Sequence, residues 1–261
     1  MFWRRRPLGI IFFKGMMSLE RTAILVDGAF FIKRALKIFG PLAPEVLATR
    51  LFRYSCYHLK GQHSRYSDYL YRIFFYDCPP LNKKIHHPLT NQLIDFSRSE
   101  HSKWRLELHS ELRKRRKVAL RLGEVDDSNF SWSITYDKVK RLCRKEISVD
   151  DLIEKDLVLN VKQKGVDMRI GLDISSLAFK KQVSKIVLIA GDSDFVPAAK
   201  QARREGIDFV LDPMWAPIKP DLYEHIDGLR STFPRPPSMA ARAAATTSSG
   251  ELTPLSSPER E

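Results

Sequence analysis

Apolar residues occur along this chain in short unbroken runs, each stopped by aspartate, glycine or proline. Ala23 to Val26 runs into Asp27-Gly28, Tyr69 to Tyr76 into Asp77-Cys78-Pro79-Pro80, and Ile186 to Ala190 into Gly191-Asp192-Ser193-Asp194. Short runs without polar alternation predict strands buried on both faces, the pattern of a parallel sheet. Val118 to Val125 and Ile207 to Leu211 predict two more strands. Helical spacing predicts helices over Ala29 to Ile38, Pro44 to Leu59, Thr90 to Arg116, Val196 to Glu205 and Asp221 to Leu229. A further helix is predicted from Ser148 or Asp150 through about Val161, broken at Gly165-Val166-Asp167 and resumed to about Lys181. Asp126 to Asn129 reads as a loop and Phe130 to Thr135 as a short extra strand. Alternating strands and helices predict an α/β fold with a mainly parallel central sheet of about five strands and helices on both faces.

Composition adds a partner to this picture. Lys and Arg number 44 against 31 Asp and Glu, a formal net charge of +13. An excess of that size points to a polyanion, either nucleic acid or an anionic surface. No apolar run is long enough to cross a membrane. The three cysteines, Cys56, Cys78 and Cys143, are widely spaced and form no CxxC pair. They suggest neither a disulfide framework nor a zinc site, so the cytoplasm is the expected compartment. Residues 1–19 read as a basic, disordered extension. Residues 232–261, rich in Pro, Ala, Ser and Thr, read as a disordered tail.

The candidate chemistry sits where the strands end. Asp27 follows the first strand and Asp192 and Asp194 follow the fourth, and in a doubly wound sheet these strands can be neighbours. Carboxylates crowded at one sheet edge repel unless a positive charge lies among them, and a hard divalent cation takes carboxylate oxygens. Asp167, at the start of a helix, is a fourth candidate, whereas Asp173 lies about 120° further around an ideal helix. Such a quartet around Mg²⁺ or Mn²⁺ would position a phosphodiester and activate a water. Lys164, Lys162, Lys33 and Arg34 are candidates for holding the polyanion. The Arg113 to Lys117 and Lys138 to Lys145 runs are candidates for extending that track. Singly, each aspartate also fits a structural role: Asp27 as a turn residue, Asp192 and Asp194 as an Asx turn with an N-cap, Asp167 as an N-cap.

Val26-Asp27-Gly28, Lys164-Gly165-Val166-Asp167 with Leu172-Asp173, Ala190-Gly191-Asp192-Ser193-Asp194-Phe195 and Gly206 together resemble the NYN domain, in the DUF88 or LabA-like branch of the PIN-like nuclease superfamily. The resemblance spans roughly residues 20 to 231. It implies a PIN-like three-layer α/β/α sandwich and metal-dependent cleavage of RNA. By the same resemblance Asp27, Asp167, Asp192 and Asp194 take the acidic metal-binding positions, with Asp173 a less firmly assigned partner. Ser193 would shape the turn. Phe30 stands where many NYN proteins carry Asn, and residues 81–149 are longer and more basic than the minimal domain, as a substrate-gripping insertion would be.

Two other functions compete. A haloacid-dehalogenase-type phosphatase also places Gly-Asp-Ser after a strand, but it needs aspartates where this chain has Ala29 and Val196. A non-catalytic RNA-binding or regulatory module on the same fold is the other alternative. A dinucleotide enzyme is disfavoured, because no GxGxxG follows the first strand. RNA is the expected partner, and the oligomeric state, a homodimer included, stays open.

Overall fold

The computed structural model describes residues 20–60 and 68–237. The expected N-terminal extension, and the tail beyond residue 237, lie outside the described residues. In chain order the main elements are β1 (Arg21–Asp27), α1 (Gly28–Phe39), α2 (Pro44–Tyr57), β2 (Tyr69–Asp77), β3 (Lys84–His86), β4 (Leu93–Asp95), α3 (Glu100–Arg113), β5 (Val118–Leu122), β6 (Glu124–Ile134), α4 (Tyr136–Cys143), β7 (Leu157–Lys164), α5 (Val166–Phe179), β8 (Lys185–Ile189), α6 (Val196–Arg204), β9 (Asp208–Asp212), α7 (Pro220–Glu224) and β10 (Gly228–Leu229).

Six strands form the central sheet in the order β10-β9-β8-β1-β2-β5, and every pairing in it is parallel. The unbroken apolar runs separate by the two-residue period of a strand. Ala23, Leu25, Phe74, Tyr76, Ile186 and Leu188 face a core shared with α5, α6 and α7. Ile24, Val26, Ile73, Phe75, Val187 and Ile189 face a second core shared with α1, α2 and α3. Each fully buried large side chain favours folding by roughly 1.5–3 kcal/mol. The chain is therefore the expected α/β sandwich, with six strands rather than about five. The extra strand, β10, occupies the end of the segment predicted as a helix to Leu229; α7 stops at Glu224.

Because all six strands run the same way, they end at one edge, the carboxyl edge. β5 leaves that edge at Gly123, where a Cβ would lie 2.6 Å from the Lys164 carbonyl oxygen and 2.9 Å from a Val166 methyl. The chain can pivot there only without a side chain. It continues as β6, which pairs antiparallel with β7 to form a two-stranded arm with α4 between its strands. A bulge between Asp126 and Phe130 takes in the predicted loop, so the arm strand is continuous through it.

Three expectations need correction. The helix predicted through Val161 is instead β7: Leu157, Leu159 and Val161 alternate in exposure with Val158, Asn160 and Lys162. Only short 3-10 turns, Val149–Asp151 and Glu154–Asp156, precede it. Its partner Phe130–Ile134 lies more than twenty residues away, and local periodicity carries no trace of such pairing. The helix predicted from Thr90 begins only at Glu100, capped by Ser99, after the small β3–β4 hairpin. Residues 81–149 do not form a separable insertion either, because α3 places Leu108 and Leu112 in the core and β5 is a strand of the central sheet.

Packing also continues beyond residue 231. Phe233 is fully buried, 4.9 Å from the Tyr54 ring centre and 5.8 Å from that of Phe31. Phe233→Ala is expected to destabilise the protein by about 3–5 kcal/mol in urea unfolding; a change below about 1 kcal/mol would mean that this segment is not part of the core.

Candidate active site

At the carboxyl edge β1 and β8 lie side by side. Asp27 ends β1 and caps α1, its Oδ1 accepting the Phe30 N–H at 3.1 Å. Three residues past β8, Asp192 accepts the Asp194 N–H at 3.2 Å and caps the short turn Ser193–Phe195. Asp167 lies in the first turn of α5, exposed to solvent. The structural roles read from the sequence hold for Asp27 and Asp192, whose caps fix their carboxylates; Asp167 caps nothing, because the N-cap of α5 is Gly165, and α6 has no side-chain cap.

Charge connects these four groups. Burial, with the nearby charges of Asp167 and Asp77 also acting, pushes the Asp27 carboxyl up to about 6 against the opposing Phe30 N–H. The Asp167 carboxyl is raised by desolvation and by the charges of Asp192 and Asp194. Asp167 is therefore the hub, within electrostatic reach of the other three. Asp173 stands apart from them: it accepts the Tyr76 hydroxyl at 2.7 Å and lies 3.4 Å from the Arg121 guanidinium. It anchors α5 to the sheet.

Two more aspartates end strands on this edge, and the sequence reading did not select either. Asp77 ends β2 fully buried, held by both Nε (2.8 Å) and Nη2 of Arg105 and by His109 Nε2 at 2.7 Å. Despite burial, these partners hold its carboxyl below the usual carboxylate range. Asp212 ends β9 with no exposure, 2.9 Å from His58 Nε2, and accepts the Met214 N–H and the Thr232 N–H and hydroxyl. A parallel topology with an Asp at each strand end was the available signal, but only contact with a helix reveals which carboxylates are already partnered.

The expected cationic residues fare unevenly. Lys33 and Lys162 are exposed and free to meet a polyanion. Lys164 Nζ lies 2.5 Å from Asp126, a carboxylate also bonded by Ser128 and Asn129. Arg34 donates both Nε and Nη2 to the Met214 carbonyl and serves to tie α1 to the loop after β9. The Arg113 to Lys117 run lies at the opposite edge of the sheet, beside the start of β5, so it cannot extend a track from the acidic edge. Lys219, which the sequence reading passed over, donates to Ser193 Oγ at 3.0 Å and puts an ammonium on the acidic turn. Phe30 packs its ring on Gly191, where a Cβ would lie only 2.5 Å from the ring.

The donor chemistry fits a hard divalent ion: four carboxylates, two of them raised by burial and then by their neighbours' charges, with no protein cation directly bonded to any of their oxygens among the described residues. As the side chains stand, no three metal-ligating groups among the described residues share one coordination sphere. Among the described residues, no helix is long and apolar enough to cross a membrane.

Residues 106–216 match the family model of the NYN domain, so the domain read from the motifs is borne out. The match includes Asp167, Asp192 and Asp194 and begins after Asp27. No curated protein matches. A crystal structure of a protein of unknown function from Vibrio parahaemolyticus RIMD 2210633 is similar at a TM-score of 0.43 and 15% identity, over 82% of this chain and 95% of that one.

The raised Asp27 carboxyl has a consequence for folding. A carboxyl whose pKa is higher folded than unfolded favours folding below its unfolded value, and that contribution is lost as pH rises through about 6. Asp27→Asn retains an N-cap acceptor and removes the charge. In chelator, Asp27→Asn is expected to raise stability by about 1–3 kcal/mol at pH 7.5 and to leave it nearly unchanged at pH 4, read by thermal unfolding. Equal stability of the two proteins at pH 7.5 would remove the case for a strained carboxylate.

Proposed function

We propose that this chain is a metal-dependent ribonuclease that hydrolyses RNA phosphodiester bonds at the acidic edge between β1 and β8. The observation that carries the reading is the placement of Asp167 within electrostatic reach of Asp27, Asp192 and Asp194. The NYN match over three of these four residues supports it, as does the net charge of +13. The Gly191-Asp192-Ser193-Asp194-Phe195 sequence after β8 supports the LabA-like branch.

Mg²⁺ or Mn²⁺ held by Asp27, Asp167, Asp192 and Asp194 would supply Lewis-acid activation of the attacking water and of the phosphoryl oxygen. The chain's own part is placement. Lys219, already hydrogen-bonded to Ser193, offers the remaining N–H donors of its ammonium to a phosphate oxygen. Lys33 and Lys162 add positive charge that draws the strand in and offsets the acidic centre. Phe30 covers the floor of the edge beside Gly191 and keeps water from that side. Asp173, tied to Tyr76 and Arg121, sets the position of α5 and with it Asp167.

A non-catalytic RNA-binding module is the second reading, and the spacing of the carboxylates, no three sharing one coordination sphere, favours it. One experiment separates the two. With Mg²⁺ or Mn²⁺, wild-type protein is expected to cleave single-stranded RNA, and Asp192→Asn to lower the rate at least about 100-fold with an unchanged melting temperature. RNA binding without cleavage in either metal would establish the second reading.

A further inference from the structure

Beside the acidic edge lies a cleft of about 370 Å³ between the root of the arm and α3. Its wall on the sheet side is Pro79 and Pro80, which follow directly on Asp77 and Cys78, together with Phe96. The opposite wall is the inner face of the arm, where Val161 and Gln163 point the same way along β7 and Val125 pairs with Gln163. Its polar lining is the Gln163 amide, the Arg105 guanidinium, the His101 ring and the Ser99 and Ser102 hydroxyls, both of which donate to the Phe96 carbonyl. Asp77 engages Nε and Nη2 of that guanidinium, which leaves N–H donors unclaimed by Asp77.

The cleft lies near the proposed site along both walls. Asp27 pairs with Tyr76 across β1 and β2, and Pro79 is three residues further on. On the arm side Gln163 is four residues from Asp167, so their Cα atoms are at most about 15 Å apart. An RNA strand that presents a phosphate to the acidic edge has a neighbouring nucleotide within reach of this cleft. Its lining suits a nucleobase: apolar and aromatic walls for the faces of the ring, and amide and guanidinium donors for its edge. An inorganic phosphate would gain nothing from two prolines, a phenylalanine and two valines.

We infer that the cleft between the arm and α3 receives one unpaired nucleobase of the RNA strand that crosses the acidic edge. This rests on the proposed reading of that edge, and it makes the substrate an RNA with at least one unstacked nucleotide beside the scissile bond. A base within a duplex stays stacked on its neighbours and must first be extruded to enter such a pocket. The arm, rooted at the carboxyl edge, then acts as a device that selects unpaired RNA.

The test reads binding, separately from cleavage. Asp192→Asn protein is titrated with a single-stranded RNA of 12 nucleotides in which one abasic ribose is walked along the strand. The expected result is one position, next to the protected phosphate, at which loss of the base weakens binding about tenfold or more. In the same background Phe96→Ala, which opens the cleft, and Val161→Trp, which fills it, are expected to erase that dependence and to weaken binding of the intact strand. Two variants of opposite steric sense, each checked by its melting curve, keep the result readable if one fails to fold. Equal binding at all abasic positions, or an unchanged dependence in a folded Val161→Trp protein, overturns the inference while RNA cleavage by the wild type leaves the proposed function standing. Protein that neither binds nor cleaves the intact strand overturns both.

Discussion

A parallel sheet delivers all its strand ends to one edge, and this chain ends four adjacent strands of it in carboxylates. Asp77, Asp27, the Asp192–Asp194 turn and Asp212 follow β2, β1, β8 and β9 in spatial order. Such an edge is tenable only if its charge is compensated, because carboxylates taken out of water repel each other and lose hydration. The outer two are compensated from within: Asp77 by Arg105 and His109 on α3, Asp212 by His58 just after α2 and by Thr232. The central pair and Asp167 receive only backbone N–H groups or each other's repulsion. The fold thus neutralises the flanks and leaves the middle without a bonded side-chain cation, the feature on which the proposed metal site rests.

Most of the sheet was legible in the sequence because a strand buried on both faces must be apolar throughout. Ala23–Val26 and Ile186–Ala190 could hardly be anything else, and the neighbouring placement of their ends followed from topology. The arm was not legible. Leu157, Leu159 and Val161 are too few and too near Leu152 and Ile153 for a two-residue period to stand out, and what makes them a strand is distant pairing with Phe130–Ile134. The acidic residues were legible as a set, since an aspartate after a buried strand is conspicuous. Their electrostatic fate was not, because Arg105 and His109 reach Asp77 from about thirty residues away and His58 reaches Asp212 from over a hundred and fifty.

The cationic side was the least legible. Lys164 and Arg34 are near the site in sequence, yet Lys164 is drawn to Asp126 and Arg34 to the Met214 carbonyl. Lys219 reaches Ser193 from a loop that sequence pattern leaves blank. Long flexible side chains choose partners by the geometry of other elements, so their roles are set late, after the backbone is in place. Phe30 illustrates the converse. Its ring packs on Gly191, where a Cβ would lie only 2.5 Å away, so the glycine of the acidic turn is required by a neighbour.

The anchoring of Thr232 and Phe233 sets where the rest of the chain departs. Thr232 is bonded to Asp212 at the end of β9, on the carboxyl edge, and Pro237 is only five residues further along. A group joined to the chain at Pro237 is therefore tethered within five residues of that edge. Its local concentration there is set by the length of the tether and not by how much protein is in solution.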